Sequence, residues 1–167
     1  MAFDPDLLTR AKSLVALYTS RNLTLATAES CTGGLVAGLI TEIAGSSVVL
    51  ERGFVVYSNE AKAGMLGVAP ETLRRFGAVS AQTARELAEG VIQRSLADVS
   101  VSITGVAGPG GGSVEKPVGL VHFACARRDG ATVHVERRFG DLGRAGVRRA
   151  AILQALDLLE AAAQARP

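Results

Sequence analysis

Ser30, Cys31 and Thr32 stand against two glycines in the stretch Ala28-Glu29-Ser30-Cys31-Thr32-Gly33-Gly34, where a β-prone run gives way to a helical pattern. A hydroxyl placed at a helix start faces unpaired amides that carry partial positive charge, a setting that suits an oxyanion or a phosphate. The same stretch also reads as a plain helix cap, with Ser30 or Thr32 on the cap and the glycines allowing close packing. A serine nucleophile needs a base. Histidine occurs only as His122 and His134, both within alternating strand patterns, and they read as sheet histidines rather than loop-borne catalysts. Of the three lysines, Lys62 follows Tyr57-Ser58-Asn59 at another strand end. Lysine becomes a base when burial or a nearby cation lowers its pKa, whereas arginine stays charged. On spacing alone, Lys62 reads equally well as a solvated surface residue.

Three further features bear on chemistry. Cys31 is either a thiol activated by the helix start or a buried group that fills space. The run Gly105-Val106-Ala107-Gly108-Pro109-Gly110-Gly111-Gly112 follows a strand but lacks the Walker and Rossmann spacings. It reads as an anion-binding concavity of backbone amides or as a mobile surface loop. Arg144 and Arg148 lie one helical turn apart and can reach a phosphate together or simply face solvent. Ser113-Val114-Glu115-Lys116 matches S-x-x-K in letters only, because Pro117 and the neighbouring glycines oppose the helix that pairing needs. Acid pairs such as Asp4/Asp6 and Glu86/Glu89 have the spacing of solvated helix faces, and no metal constellation is present.

The elements that must position these groups follow from periodicity. Leu7, Leu8, Ala11, Leu14, Val15 and Tyr18 predict a helix over residues 5–20, and 23–28 a strand. A second stripe from Leu35 to Ile43 predicts a helix ended by Gly45. Strand 48–57 leads to a short helix capped by Asn59, then a helical turn over 70–76 and a long helix capped by Ser80. A third strand covers 98–104. Strands 118–127 and 131–139 flank the hairpin signal Arg128-Asp129-Gly130, and a last helix spans 144–163. The fold class expected is α/β, a three-layer α/β/α sandwich with a mixed β-sheet, in one domain over 1–167.

Composition narrows the function classes. Apolar residues make up 48% and charged residues 20% of the 167, as in an ordinary globular protein. A net charge of +2 with dispersed cations argues against a nucleic-acid partner. Two isolated cysteines give neither a disulfide framework nor a zinc site and fit a reducing compartment. The amino terminus lacks a signal-peptide pattern and no run approaches the roughly 20 apolar residues of a membrane span, so a cytoplasmic location and no membrane partner are expected. The apolar last helix leaves room for a homodimer or higher homo-oligomer.

Taken in order, "TAESCTGG", "ERGFVVYSNEAKAGMLGV", "FGAVS", "SITGVAGPGGGSVEKPVG" and "FGDLGRAGVRRA" resemble the CinA carboxy-terminal domain family over residues 7–160. The resemblance implies hydrolysis of the carboxamide of nicotinamide mononucleotide to nicotinate mononucleotide and ammonia, a pyridine-nucleotide salvage step, with no metal and no cofactor. It implies Ser30 as nucleophile, Lys62 as base and Tyr57 as a neighbouring hydroxyl that relays or orients the proton. The cradle it implies comprises Cys31, Thr32, Gly33 and Gly34 together with Thr104, Gly105, Gly108, Gly110 and Gly111, and Arg144 is its phosphate contact. Two departures stand out. The family often has Gly-Pro-Asp-Gly-Gly where this chain has Gly108-Pro109-Gly110-Gly111-Gly112, and Leu142 and Gly143 separate Asp141 from Arg144 where the family often reads Gly-Asp-Arg. The rival readings are a non-catalytic nucleotide- or partner-binding module and a serine amidase for another small amide.

Overall fold

The computed structural model describes residues 3–165; the outermost residues of the expected 1–167 domain lie outside that range. The chain alternates helices and strands until its C-terminal hairpin. Helix α1 (Pro5–Ser20) starts at Asp4, whose carboxylate accepts from the Leu7 amide, with Pro5 in the first turn. Strand β1 (Leu25–Glu29), helix α2 (Leu35–Thr41) and strand β2 (Leu50–Val55) follow. Helices α3 (Asn59–Leu66), α4 (Pro70–Phe76) and α5 (Ala81–Arg94) lead to β3 (Val99–Gly105), then to β4 (Leu120–Arg127), β5 (Val133–Arg138) and α6 (Gly143–Gln164).

The sheet order is β2-β1-β3-β4-β5, with β1 parallel to β2 and β3 and the last two pairings antiparallel. This is the mixed sheet of the expected three-layer sandwich. Strand β3 shows why it has two covered faces. Val99, Val101 and Ile103 join the core formed with α1, α2 and α6. The alternate hydroxyls of Ser100 and Ser102 donate to the Ala88 and Ala84 carbonyls of α5 on the other face (2.7 and 2.6 Å). The apolar residues of α6, including Val147, Ile152, Leu156 and Leu159, belong to that same core. Much of the apolar stripe of α6 thus serves the chain's own interior.

Strand ends shift by up to two residues from the expected ranges, and two helix ends differ for a visible reason. Helix α2 ends at Thr41, short of Gly45, whose left-handed conformation (φ 85°) instead opens a short 3-10 turn at Ser46–Val48. The cap of α3 is Ser58 and not Asn59: its hydroxyl accepts from the Ala61 amide at 3.0 Å.

The two histidines do meet within the hairpin. His122 Nδ1 lies 3.0 Å from His134 Nε2 with the rings stacked, and Glu136 stands 3.9 Å from His122 Nε2. Burial is the main cause holding both below the ordinary histidine value; His134, Lys116 and Arg138 add to it at His122, Arg85 adds at His134, and Glu136 opposes at both. A histidine depressed in the folded state contributes stability above about pH 6.5 that is lost as pH falls below it, because the unfolded chain binds the proton more readily. Urea midpoints should therefore drop between pH 7.5 and 5.5, and drop less when both histidines are glutamine. Equal drops would show that the pair does not set this pH dependence.

Candidate active site

Strand order places β1 between β2 and β3, so the chain leaves β1 and β3 at adjacent C-terminal ends, the crevice where open α/β sheets bind ligands. Ser30 is the first residue past β1, and its amide donates to the Ile103 carbonyl of β3 at 3.0 Å. Lys62 comes from the first turn of α3, which the Ser58 cap aligns against the end of β2. Its side chain is 1% exposed. The amine nitrogen sits 3.1 Å from Ser30 Oγ, 2.8 Å from the Val56 carbonyl and 3.1 Å from the Tyr57 carbonyl. Burial holds this amine below the ordinary lysine value, with the Cys31 thiol a smaller influence the other way.

The turn after Ser30 differs from a helix start. Residues 31–34 form a turn in which Gly33 and Gly34 both have left-handed φ (62° and 95°), and α2 begins only at Leu35. Neither Ser30 nor Thr32 caps it. Glu29, fully buried at the end of β1, reaches forward instead. Its Oε2 accepts from the Gly34 and Val36 amides (both 3.0 Å), and its Oε1 from the Ala37 amide (2.9 Å) and the Thr27 hydroxyl (3.2 Å). The Gly33 amide donates to the Ser30 carbonyl (3.1 Å) and the Leu35 amide to the Thr32 carbonyl (3.3 Å), which also accepts from Arg148 Nη2 (3.1 Å). Of the expected cradle, the Cys31 and Thr32 amides are left with no protein acceptor among the described residues.

The Cys31 thiol itself packs into the core beneath the turn. Burial pushes it up to about 11, and the Glu29 carboxylate adds in the same direction. It takes the space-filling option, and a helix start does not activate it.

The remaining expected residues form the rim. Tyr57 presents its ring to solvent, gives its carbonyl to Lys62, and accepts at its hydroxyl from Arg144 Nη2 (3.3 Å). Arg144 Nη1 donates to the Gly108 carbonyl (3.0 Å), so one guanidinium bridges Tyr57 and the glycine loop. Thr104 is buried, and its hydroxyl donates to the Ala78 carbonyl (2.7 Å), bracing the loop from below. Lys116 braces its far end through the Phe76 carbonyl (2.6 Å). Gly105 lies at the loop's base, where a Cβ would meet Leu120 and Val121, Gly108 is left-handed (φ 79°), and Gly110 and Gly111 are exposed. Sequence reasoning passed over Glu29 and the Val56 carbonyl. The one available signal was an acid closing an apolar strand just ahead of a helix.

An apolar hollow of about 340 Å³ lies at the opposite end of the sheet, lined by Cys125, Val133, Leu158 and Ala162 among others. Burial pushes its thiol, Cys125, up to about 12, which makes it a poor nucleophile. Among the described residues no group of three or more His, Cys, Asp or Glu side chains is placed to hold a metal ion, and no helix is long and apolar enough to cross a membrane.

The chain is 50% identical over 157 residues to the nicotinamide-nucleotide amidohydrolase PncC of Escherichia coli K12, covering 93% of this chain and 94% of that one. The crystal structure of the competence/damage inducible protein CihA from Agrobacterium tumefaciens superposes with a TM-score of 0.96 at 53% identity, covering 98% of this chain and 99% of that one. Longer relatives also match: the chain spans about a third of their length, 31% in Caldicellulosiruptor bescii and 34% in Acetivibrio thermocellus, at 49% and 50% identity over 77% and 86% of this chain. The profile of the CinA C-terminal domain matches residues 8–163, and the chain belongs to that family.

Proposed function

We propose that the chain is an amidohydrolase that converts nicotinamide mononucleotide to nicotinate mononucleotide and ammonia, with Ser30 as nucleophile and Lys62 as its base. The observation that carries this reading is the buried 3.1 Å contact between the Lys62 amine and Ser30 Oγ. The half-identical Escherichia coli relative, named for that substrate class, supports the choice of amide. A neutral amine has two N–H groups and one lone pair. The Val56 and Tyr57 carbonyls accept the two N–H groups, which turns the lone pair toward the Ser30 hydroxyl. Desolvation favours that neutral state.

The reaction follows in two halves. Lys62 takes the Ser30 proton as Oγ bonds to the amide carbon, and the carbonyl electrons move onto an oxygen facing the Cys31 and Thr32 amides. Such a donor is worth about 2.7 to 4 kcal/mol in the transition state. Collapse breaks the C–N bond, and protonated Lys62 gives its proton to the departing ammonia. Water then attacks the Ser30 ester, delivers a proton to Lys62, and the proton returns to Ser30 as nicotinate mononucleotide leaves. Chemistry of this kind draws on no metal and no cofactor, so a chelator should leave the rate unchanged.

Nucleotide recognition falls to the rim. Guanidinium carries five N–H donors, and Arg144 uses one on Gly108 and one on Tyr57, leaving others for a phosphate. The exposed glycines Gly110 and Gly111 offer backbone amides beside it. On this reading Tyr57 orients Arg144 rather than the proton, the whole chain is one amidase domain, and its two buried free thiols suit a reducing cytoplasm. Ammonia release from nicotinamide mononucleotide, nicotinamide riboside and free nicotinamide at equal concentration tests the assignment. The expected kcat/KM for the mononucleotide exceeds that for the riboside by about 10- to 100-fold, the value of a charge-assisted phosphate contact. Equal rates would move the assignment to an amidase for another small amide, and no release at all to a binding module.

A further inference from the structure

Glu29 is the only fully buried carboxylate among the described residues, and the reaction above gives it no step. Its four donors are neutral: three backbone amides at the start of α2 and the Thr27 hydroxyl. A carboxylate without a cation is tolerable in the interior only when its lone pairs are filled, and here the positive end of a helix fills them. The arrangement has a second consequence. Three ties pin the turn that carries Ser30: the Gly33 amide to the Ser30 carbonyl, the Leu35 amide and Arg148 to the Thr32 carbonyl, and Glu29 to the start of α2. The free amides of this stretch are then Cys31 and Thr32.

We propose that Glu29 is a positioning residue of the reaction: by holding the α2 amides away from the cleft it fixes the Ser30 turn so that the Cys31 and Thr32 amides face the developing oxyanion. The assignment rests on Ser30 being the nucleophile. It also accounts for an acid standing next to a site that must stabilise negative charge, because the carboxylate oxygens are directed to the amides that open α2.

The test uses Glu29→Gln and Thr27→Val beside the wild type, with two readouts: steady-state ammonia release and the rate at which a fluorophosphonate labels Ser30, located by peptide mass. In labelling, the Ser30 Oγ–P bond forms, the P–F bond breaks, fluoride leaves and the Ser30 proton passes to Lys62, whatever the natural substrate is. Glutamine places an N–H₂ donor against amide donors, so labelling and kcat should both slow by about 100-fold, the loss of an aligned oxyanion donor, while KM stays unchanged. Thr27→Val removes one of the four donors without changing side-chain shape, and should slow both rates several-fold in a folded protein; it decides the matter if Glu29→Gln does not fold. A purely structural Glu29 would lower the melting temperature but leave both rates at the wild-type value wherever the variant is folded, and that result would overturn the proposal. Wild-type labelling at Ser30 without ammonia release from the mononucleotide would instead remove the substrate assignment, with Glu29 still judged by the labelling rates. Absence of Ser30 labelling in the wild type would overturn Ser30 as nucleophile and the role of Glu29 with it.

Discussion

Lys62→Met yields a folded protein whose kcat is lower by about 1,000-fold, within the range expected for losing a general base. Methionine suits the slot because it is unbranched and apolar, and Lys62 is almost wholly enclosed. The variant leaves the Val56 and Tyr57 carbonyls without their donor, which costs about 1 to 3 kcal/mol at the buried Val56 carbonyl. Its melting temperature should fall while its circular dichroism stays that of the wild type. Lys62→Arg should not restore turnover, since a guanidinium remains protonated. The wild-type pH profile carries the same signature. Only the neutral amine accepts the Ser30 proton, so kcat/KM should rise with pH through a titration below lysine's ordinary 10.5, as burial dictates. A variant within tenfold of wild type would end the role of Lys62 as base.

Gly90→Ala should lower both stability and rate although Gly90 touches neither substrate nor the reacting groups. A Cβ there would sit 2.1 Å from the Leu66 carbonyl oxygen and 3.1 Å from its carbon, so the backbone at the end of α3 must move away from α5. Leu66 lies one turn beyond Lys62 on the same helix. Overpacking of this kind typically costs about 1 to 3 kcal/mol, and a displacement of about 1 Å in a catalytic group can cost about 100-fold in rate. Both losses are expected together, read by thermal melting and by kcat at a temperature where the variant is folded. Gly64→Ala is the matched control on α3, the helix that carries Lys62: nothing lies within 4 Å of its Cβ, and the backbone there is ordinary helix. It should gain up to about 1 kcal/mol of stability and keep wild-type kcat. A Gly90→Ala protein with wild-type kcat would show that α3 can shift without disturbing Lys62.

What could be read from the sequence follows the range of the forces involved. The β-prone run 98–104 marked a strand and the Ser80 cap marked the start of α5, because both signals are local, whereas the covering of the Ser100 and Ser102 face by α5 was not legible. Boundaries set by glycine conformation at Gly45 and by competition between Ser58 and Asn59 for one cap were less legible. In the site, Ser30 and Lys62 were each visible as a residue type at a strand end. Their 32-residue separation closes only through the pairing of β2 with β1 and the packing of α3, which no local pattern encodes. Roles that depend on which atom of a residue faces the site were hidden as well. Tyr57 gives Lys62 its carbonyl and Arg144 its hydroxyl, Thr104 turns its hydroxyl to Ala78, and the α2 amides belong to Glu29. The family resemblance named the participants; which of their atoms meet depends on long-range packing.

Ammonia release from nicotinamide mononucleotide, measured for the wild type and Ser30→Ala side by side at matched folded concentration, decides whether Ser30 is the nucleophile. Steady release by the wild type and none above background by the variant are expected. Equal release by a folded Ser30→Ala protein would reduce Ser30 to a turn residue and contradict the mechanism.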